Sequence, residues 1–389
     1  MAKVMKYEES KDLEGSERLE RACEVGPTGK MSLFIDMLGD PLCRVRQFPD
    51  NLMLVAEIGE DRERKEIVGL IRGCIQTVRS HNNDRQYTKV AYVLGLRVSP
   101  CHRRLGIGSQ LVSEMESWFR EKGAEYSYMA TDKDNEASVR LFTDKCRYTT
   151  FRTLPVLVQP VFEHRVKTSK RVKIFKLTPS DAELLYRQRF STVEFFPRDI
   201  DLVLSSKHNL GTFVAELTDS NLDSLDVHRF LSGGAPESWA VLSIWNSKEV
   251  FTLELRGANR IFRGLVKATR AMDRVFPWLR IPSAPDIFRP FGSLFLYGIG
   301  GDGSESVKLT KALCGFAHNL AKEKGCALVV AEIASSEPDK IVAIPHWKRM
   351  SFEDLWCIKR LGEDCSDESV DDWTKSKPGP SIFVDPREI

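Results

Sequence analysis

Residues 96–109 read Leu-Arg-Val-Ser-Pro-Cys-His-Arg-Arg-Leu-Gly-Ile-Gly-Ser, an apolar strand entering a glycine-bearing turn that opens an amphipathic helix. A helix N-terminus presents unpaired backbone N–H groups and the positive end of its dipole, so it attracts anions. Gly106 and Gly108 let a ligand approach the main chain closely, and Arg103 and Arg104 stand beside them. The spacing predicts a pyrophosphate cradle built from Arg103, Arg104, Leu105, Gly106, Ile107, Gly108 and Ser109, acting chiefly through backbone N–H groups. A P-loop would close on Gly-Lys-Ser/Thr, and Gly108-Ser109-Gln110 has no lysine. A dinucleotide loop would carry a third glycine, which is missing.

The elements that must position this turn can be read on both sides of it. Upstream, residues 4–7 form a strand, 12–23 a charged helix, and 52–58 with 66–75 a hairpin, before the strand 90–98. Downstream come a helix over 110–122 stopped by Gly123, a strand over 126–130, and Asn135-Glu-Ala-Ser-Val-Arg-Leu-Phe142. This ordered series, with Arg103-x-x-Gly106-x-Gly108 at its centre, resembles the GNAT superfamily of N-acetyltransferases. The resemblance implies an α/β GNAT fold, a mixed, mostly antiparallel sheet flanked by helices, and acetyl-CoA as co-substrate. It places the diphosphate on residues 103–109, the pantetheine arm along the backbone of Leu96, Arg97 and Val98 as an added strand, and Asn135 on the cofactor arm.

Transfer from a thioester to an amine requires a deprotonated amine, a polarised carbonyl and a stabilised thiolate. Direct attack in a ternary complex needs no protein nucleophile. The family's general base is often a glutamate on the strand before the loop, yet residues 90–98 contain no carboxylate, and Tyr92 stands in that place. Its usual general acid is a tyrosine seven residues after the asparagine, which here is Phe142. Tyr92 and Tyr148 are therefore the candidates for proton transfer, with Tyr126, Tyr128 and His102 in neighbouring segments. The competing reading is a regulatory scaffold that binds acetyl-CoA without turnover, or a protein-interaction platform.

The second half repeats the order of the first. After a polar, basic joint come a strand over 172–177, a helix over 179–189, strands over 211–216 and 238–245, and a strand from Ser293 into Gly298-Ile-Gly-Gly-Asp-Gly303, followed by a helix over 304–324. The two long helices end alike, Arg120-Glu-Lys-Gly-Ala124 and Lys322-Glu-Lys-Gly-Cys326. Tandem GNAT-like domains are expected at 1–160 and 172–389, the second diverged, with a linker at 161–171. The second glycine-rich stretch, read as a turn, lacks arginine and puts Asp302 and Glu305 where phosphate would sit, so a retained scaffold is expected there. Longer strings, including Arg44-Val-Arg46, Glu194-Phe-Phe-Pro-Arg-Asp-Ile-Asp201, Ile344-Pro-His-Trp-Lys348 and Phe383-Val-Asp-Pro-Arg-Glu388, resemble the Hookless-type N-acetyltransferases of plants. That implies a regulator of differential growth and an amine acceptor on a protein or small molecule.

Composition bounds the rest. The chain of 389 residues is 42% hydrophobic, enough for two cores, and 57 basic against 55 acidic side chains leave a net charge of +2. No global field therefore drives it onto nucleic acid or membrane. Nine cysteines without a Cys-x-x-Cys pair read as reduced thiols, no segment has the apolar length of a spanning helix, and the N-terminus lacks a signal core. These features suggest nucleus or cytoplasm, and the basic run 165–176 is a candidate import patch. The seven histidines are scattered, so no metal is expected. Arg256, Arg260, Arg263, Lys267, Arg270 and Arg274 recur at helical steps over 256–274 with Asp273 as the sole acid of the run. They predict a basic stripe for an acidic protein, nucleic acid or anionic lipid, with Ile261, Leu265, Ala268 and Met272 docking the helix on the second domain. Nothing in the sequence sets the oligomeric state.

Overall fold

The computed structural model describes residues 2–23, 31–59, 65–80, 87–217, 227–362, 372–375, 377 and 379–389. In chain order the first elements are β1 (Lys3–Lys6), α1 (Glu9–Ala22), β2 (Ser32–Asp36), β3 (Asp50–Ile58), β4 (Glu66–Arg79), β5 (Tyr87–Val98), α2 (Ile107–Glu121), β6 (Tyr126–Asp132), α3 (Glu136–Arg140) and β7 (Thr149–Pro160). They are followed by β8 (Val172–Lys176), α4 (Pro179–Arg189), α5 (Ile200–Ser205), β9 (Asn209–Leu217), α6 (Val227–Arg229), β10 (Trp239–Asn246), β11 (Thr252–Arg256) and α7 (Arg260–Val275). The last are β12 (Ser293–Asp302), α8 (Ser306–Glu323), β13 (Leu328–Glu332), α9 (Pro338–Ala343) and β14 (Phe352–Arg360).

Two compact units result, residues 1–154 with 353–379, and residues 155–352 with 380–389. The first carries strands in the order β1-β3-β4-β5-β6-β14. Neighbours are antiparallel except β5 and β6, which run parallel. Its α2 lays Ile107, Leu111, Met115 and Phe119 on one face of the sheet, the stripe of a helix with period 3.6. Gly69 and Gly73 of β4 make that contact close, since a Cβ there would stand 2.9 Å from Leu111 Cδ1 and 2.6 Å from Met115 Sδ. On the other face α1 packs Leu19 and Cys23 against Met53, Val55 and Leu70.

The second unit repeats this plan with β7-β13-β12-β10-β9-β8. Here β12 and β13 are the parallel pair and α8 fills the core. Tandem GNAT-like units are thus present, but their limits differ from a cut at 160. Strand β14, far along the chain, completes the first sheet by pairing with β6 from Arg360↔Tyr126 to Asp354↔Asp132, and Lys359 ties it to Glu116 of α2 at 2.6 Å. The second unit takes the end of β7, where Pro160 to Val156 pair with Leu328 to Glu332.

Of residues 161–171, expected as a linker, 161–166 are held in the second unit by hydrogen bonds. Val161 N–H donates to Ala327 O, Phe162 N–H to His318 Nε2 and Glu163 N–H to Asp273 Oδ2, while Val166 exchanges two bonds with the Asn319 amide. His318 is thereby a structural acceptor, and burial pushes it down to about 4, keeping the imidazole neutral. The expected glycine turn at 298–303 is likewise largely strand, because β12 runs through Asp302 and its glycines admit the backbone of β10. At Gly301 a Cβ would lie 2.6 Å from Trp239 O.

The basic helix also departs from expectation. It begins at Arg260, while Arg256 ends β11 and bonds Glu254. Ile261, Leu265, Ala268 and Met272 do not dock; all four are exposed, and the helix rests on Val266 and Asp273 instead.

Candidate functional site

Strands β5 and β6 pair from Val90↔Tyr126 to Val93↔Met129 and then separate. The cause is a bulge: the register of β4 against β5 shifts between Leu70 and Arg72, and Gly95 sits at φ +62°. A Cβ at Gly95 would be 2.7 Å from Arg72 Nη1, so both the conformation and the space demand glycine. Arg72 is fully buried behind the bulge, donating to Pro41 O at 2.5 Å and to Glu20 Oε1 at 2.8 Å. Burial opposes ionisation of Glu20, yet Arg72 and Arg97 outweigh it and hold the carboxyl below its usual range. The separated stretch of β5, residues 94–98, thus turns an edge toward the gap on a rigid support, and an edge is what an extended amide-bearing chain can bond.

That edge leads into the glycine loop. Leu96 and Val98 pack on the core under α2, whereas Arg97 turns to the opposite face and pairs with Glu20 at 3.2 Å. Arg103, Arg104, Leu105 and Gly106 are exposed, and no side chain caps α2, whose first residue Ile107 is buried. Arg104 lies in the left-handed region at φ +64°, a strain of about 1 kcal/mol or more for a non-glycine residue. Gly108 faces Leu141, where a Cβ would meet Cδ2 at 3.3 Å, and Ser109 follows on the first turn. In this state Arg103 folds back, its Nε donating to Val98 O at 3.3 Å, and Cys23 Sγ donates to the same oxygen at 3.4 Å. Asn135 caps α3, accepting from Ser138 N at 3.3 Å, and its Nδ2 donates to Thr131 Oγ1 at 3.3 Å.

The two tyrosines singled out for proton transfer part company. Tyr148 lies in the core under α2, its hydroxyl on Ser127 Oγ at 2.8 Å and its ring edge-on to Phe142 at 5.2 Å. Burial, reinforced by Glu116, drives its pKa well up, so at neutral pH it is a satisfied core phenol. Tyr92 is on the opposite face, stacked on Tyr128 at 4.8 Å, and Tyr128 stacks on Trp356 at 5.4 Å. Gln76 Nε2 donates to Tyr128 Oη at 2.7 Å. Along the same face of β6 and β14, Asp132 and Asp354 stand directly opposite each other at the end of the pairing, both half-buried. Burial, then the charge of Asp132, pushes Asp354 up to about 7. Sequence reasoning found neither Asp354 nor Gly95; the isolated glycine inside a strand pattern was a signal for the second, and nothing local marks the first.

An open strand edge, a glycine loop at an uncapped helix and a titratable pair lie in the first unit, and the chain has relatives in sequence. The model described as "Acetyltransferase (GNAT) family" matches residues 23–147. Over its whole length the chain is 59% identical to the Arabidopsis thaliana protein "Probable N-acetyltransferase HLS1-like", covering 99% of it. It is 40% identical to "Acetyl transferase GW6a" of Oryza sativa subsp. japonica, again over 100% of the chain and 98% of that protein. The chain belongs to the GNAT acetyltransferase family. In fold it is also like Saccharomyces cerevisiae N-myristoyltransferase solved with bound myristoyl-CoA, with a TM-score of 0.55 at 11% identity over 92% of this chain and 79% of that one.

The second GNAT-like unit keeps the scaffold and backs its glycine with a tyrosine where the first has Arg72. Its parallel pairing ends at Leu296↔Ala331, and two residues on Gly298 sits at φ +56°, as Gly95 follows Val93 in the first unit. The space a Cβ would need at Gly298 is taken by Tyr186, whose hydroxyl donates to Gly298 O at 3.2 Å and meets Ser243 Oγ at 2.7 Å. Phe383 packs edge-on against Tyr186 and Tyr297. At the start of α8, Glu305 N–H is satisfied by Ser238 Oγ and Glu305 pairs with Lys308, an arrangement unlike the exposed arginine loop of the first unit.

Proposed function

We propose that the first unit binds acetyl-CoA along the opened edge of β5, with the diphosphate on residues 103–109, and passes the acetyl group to an amine by direct attack in a ternary complex. The observation that carries this is the continuity of three features: the Gly95 bulge, the edge 94–98 and the uncapped start of α2. Because α2 fills one face, the amine approaches from the other, where the half-buried Asp132–Asp354 pair stands at the end of the stretch floored by the buried Tyr92 and Tyr128. The pair accepts the amine proton, the nitrogen lone pair closes on the thioester carbon, and the C–S bond breaks to release thiolate. Phe142 offers no hydroxyl to that sulfur, but a thiol of pKa about 8.5 leaves without one. Tyr92 keeps a place in the floor beneath the acceptor, and Tyr148 has none in the reaction.

The acceptor is an amine of a protein or small molecule, and the setting is the nucleus or cytoplasm of a plant cell that controls differential growth. Titration calorimetry of the full chain with acetyl-CoA tests the cofactor. Gly106→Glu is expected to abolish binding; no atom lies within 4 Å of a Cβ there, so the fold is kept at the cost of about 1 kcal/mol or more of backbone strain at φ +82°, which a thermal melt of the same variant checks. Binding indifferent to that change would overturn the site. Thiol release with a panel of amines separates an enzyme from a cofactor-binding scaffold, the second reading that Phe142 favours.

A further inference from the structure

Helix α7 carries a surface that the transfer reaction does not use. It rests on the second unit through Phe262 edge-on to Phe288, through the buried Val266 and Asp273, and through two cations, Arg263 over the Phe288 ring at 5.3 Å and Arg270 donating to Val161 O at 3.2 Å. Asp273, the sole acid of the helix, is turned inward, where it bonds His164 Nδ1 at 2.7 Å, Ser283 Oγ at 2.5 Å and Glu163 N–H. At 100° per residue, an arc centred about 120° round the helix from the line of Phe262, Val266 and Asp273 holds Ile261, Leu265, Ala268, Met272 and Val275, and all of them face solvent. Ile261 is 84% exposed and Leu265 60%, and Trp278, in the turn that follows, is 69% exposed. The remaining arc holds Arg260, Arg263, Lys267, Arg270 and Arg274, of which the last two share the single carboxylate of Glu163.

We propose that residues 260–280 form an in-plane docking site for an anionic membrane surface. The helix is held along Phe262, Val266 and Asp273 and on the near side of its basic arc, its apolar ridge faces solvent, and its cations lie beside that ridge. A fluid bilayer accepts such a ridge without a complementary groove, takes Trp278 at the headgroup level and supplies the opposite charge. Nucleic acid would use the cations alone and leave the exposed isoleucine, leucine and tryptophan without a role.

Co-sedimentation of the full chain with vesicles tests this, comparing phosphatidylcholine alone with phosphatidylcholine containing phosphatidylserine. Binding is expected to the anionic vesicles, with a blue shift in tryptophan emission that Trp278→Phe removes. Leu265→Glu with Met272→Glu is expected to abolish it, and Arg260→Glu with Lys267→Glu to weaken it by roughly fivefold per charge or more. These positions are solvent-facing, so an unchanged melting temperature shows that the fold is kept. Absence of binding to anionic vesicles, or binding unaffected by Leu265→Glu with Met272→Glu, would overturn the proposal. Retention by duplex DNA that depends on the arginines and ignores Leu265 would replace the membrane with nucleic acid.

Discussion

Asp354 is the residue on which proton transfer is made to depend, and its environment sets a sign for both activity and stability. The folded chain holds a proton there up to about pH 7, whereas an unfolded aspartate releases it near pH 4. Folding stability therefore falls as pH rises through that window, and the free pair becomes available as a base only toward its top. Asp354→Asn is expected to remove the rise in kcat/KM near pH 7, to lower the rate by about 10²-fold or more, and to raise the melting temperature at pH 8 while leaving it unchanged near pH 4. A pH profile and thermal melts on the same variant check both halves, and a retained limb near 7 would return the role of base to another group. Arg103 to Gly108 could be read directly because turn chemistry is local. Asp354 could not, since it meets Asp132 only through strand pairing.

At the scale of elements, two strings that stand out in the sequence turn out to be one structure. The segment after α4, Glu194 to Asp201, and the segment Ile382 to Arg387 meet in the second unit: Phe383 N–H donates to Glu194 O, Phe383 packs edge-on to Phe196, and Arg387 bonds Asp199 at 2.7 and 3.0 Å as well as Asp385. Arg387 is buried, and its two carboxylates outweigh the cost of burial and hold it firmly charged. Removing Arg387 leaves the Asp385 carboxylate buried without its counter-charge, so Arg387→Ala is expected to cost about 3–5 kcal/mol, measured by urea unfolding. Helix α7 shows the converse limit of local reading. Its period announces an amphipathic helix, but period alone cannot say whether the apolar or the acidic line is the one that docks, and Asp273 with Val266 is.

For the whole chain, the exchange of strands sets what can fold alone. Residues 1–160 contain the loop, the bulge and most of the core of the first unit, yet they lack β14, which pairs with β6 along Arg360 to Asp354 and places Cys357, Leu355 and Trp356 against the sheet. The fragment 1–160 is expected to be insoluble or molten, with an unpaired β6 edge, and linking residues 353–379 to residues 1–154 to restore cooperative melting and acetyl-CoA binding. Cooperative unfolding of 1–160 by itself would show that β14 is dispensable.

By itself the sequence determined the features written in neighbouring residues: the strand-turn-helix around the glycine loop, the repeated order of elements, and the helix with a basic stripe. Periodicity, glycine placement and capping act over a few residues, so they survive in a one-dimensional reading. Only the tertiary structure decided which strand closes which sheet, which face of α7 is left bare, and that Arg72 stands behind Gly95 while Tyr186 stands behind Gly298. Those outcomes depend on contacts between residues far apart in the chain, where pairing and burial choose among arrangements that local propensity leaves equal. The glycine turn was legible because it is local, and the Asp132–Asp354 pair was not because strand pairing assembles it from distant parts of the chain.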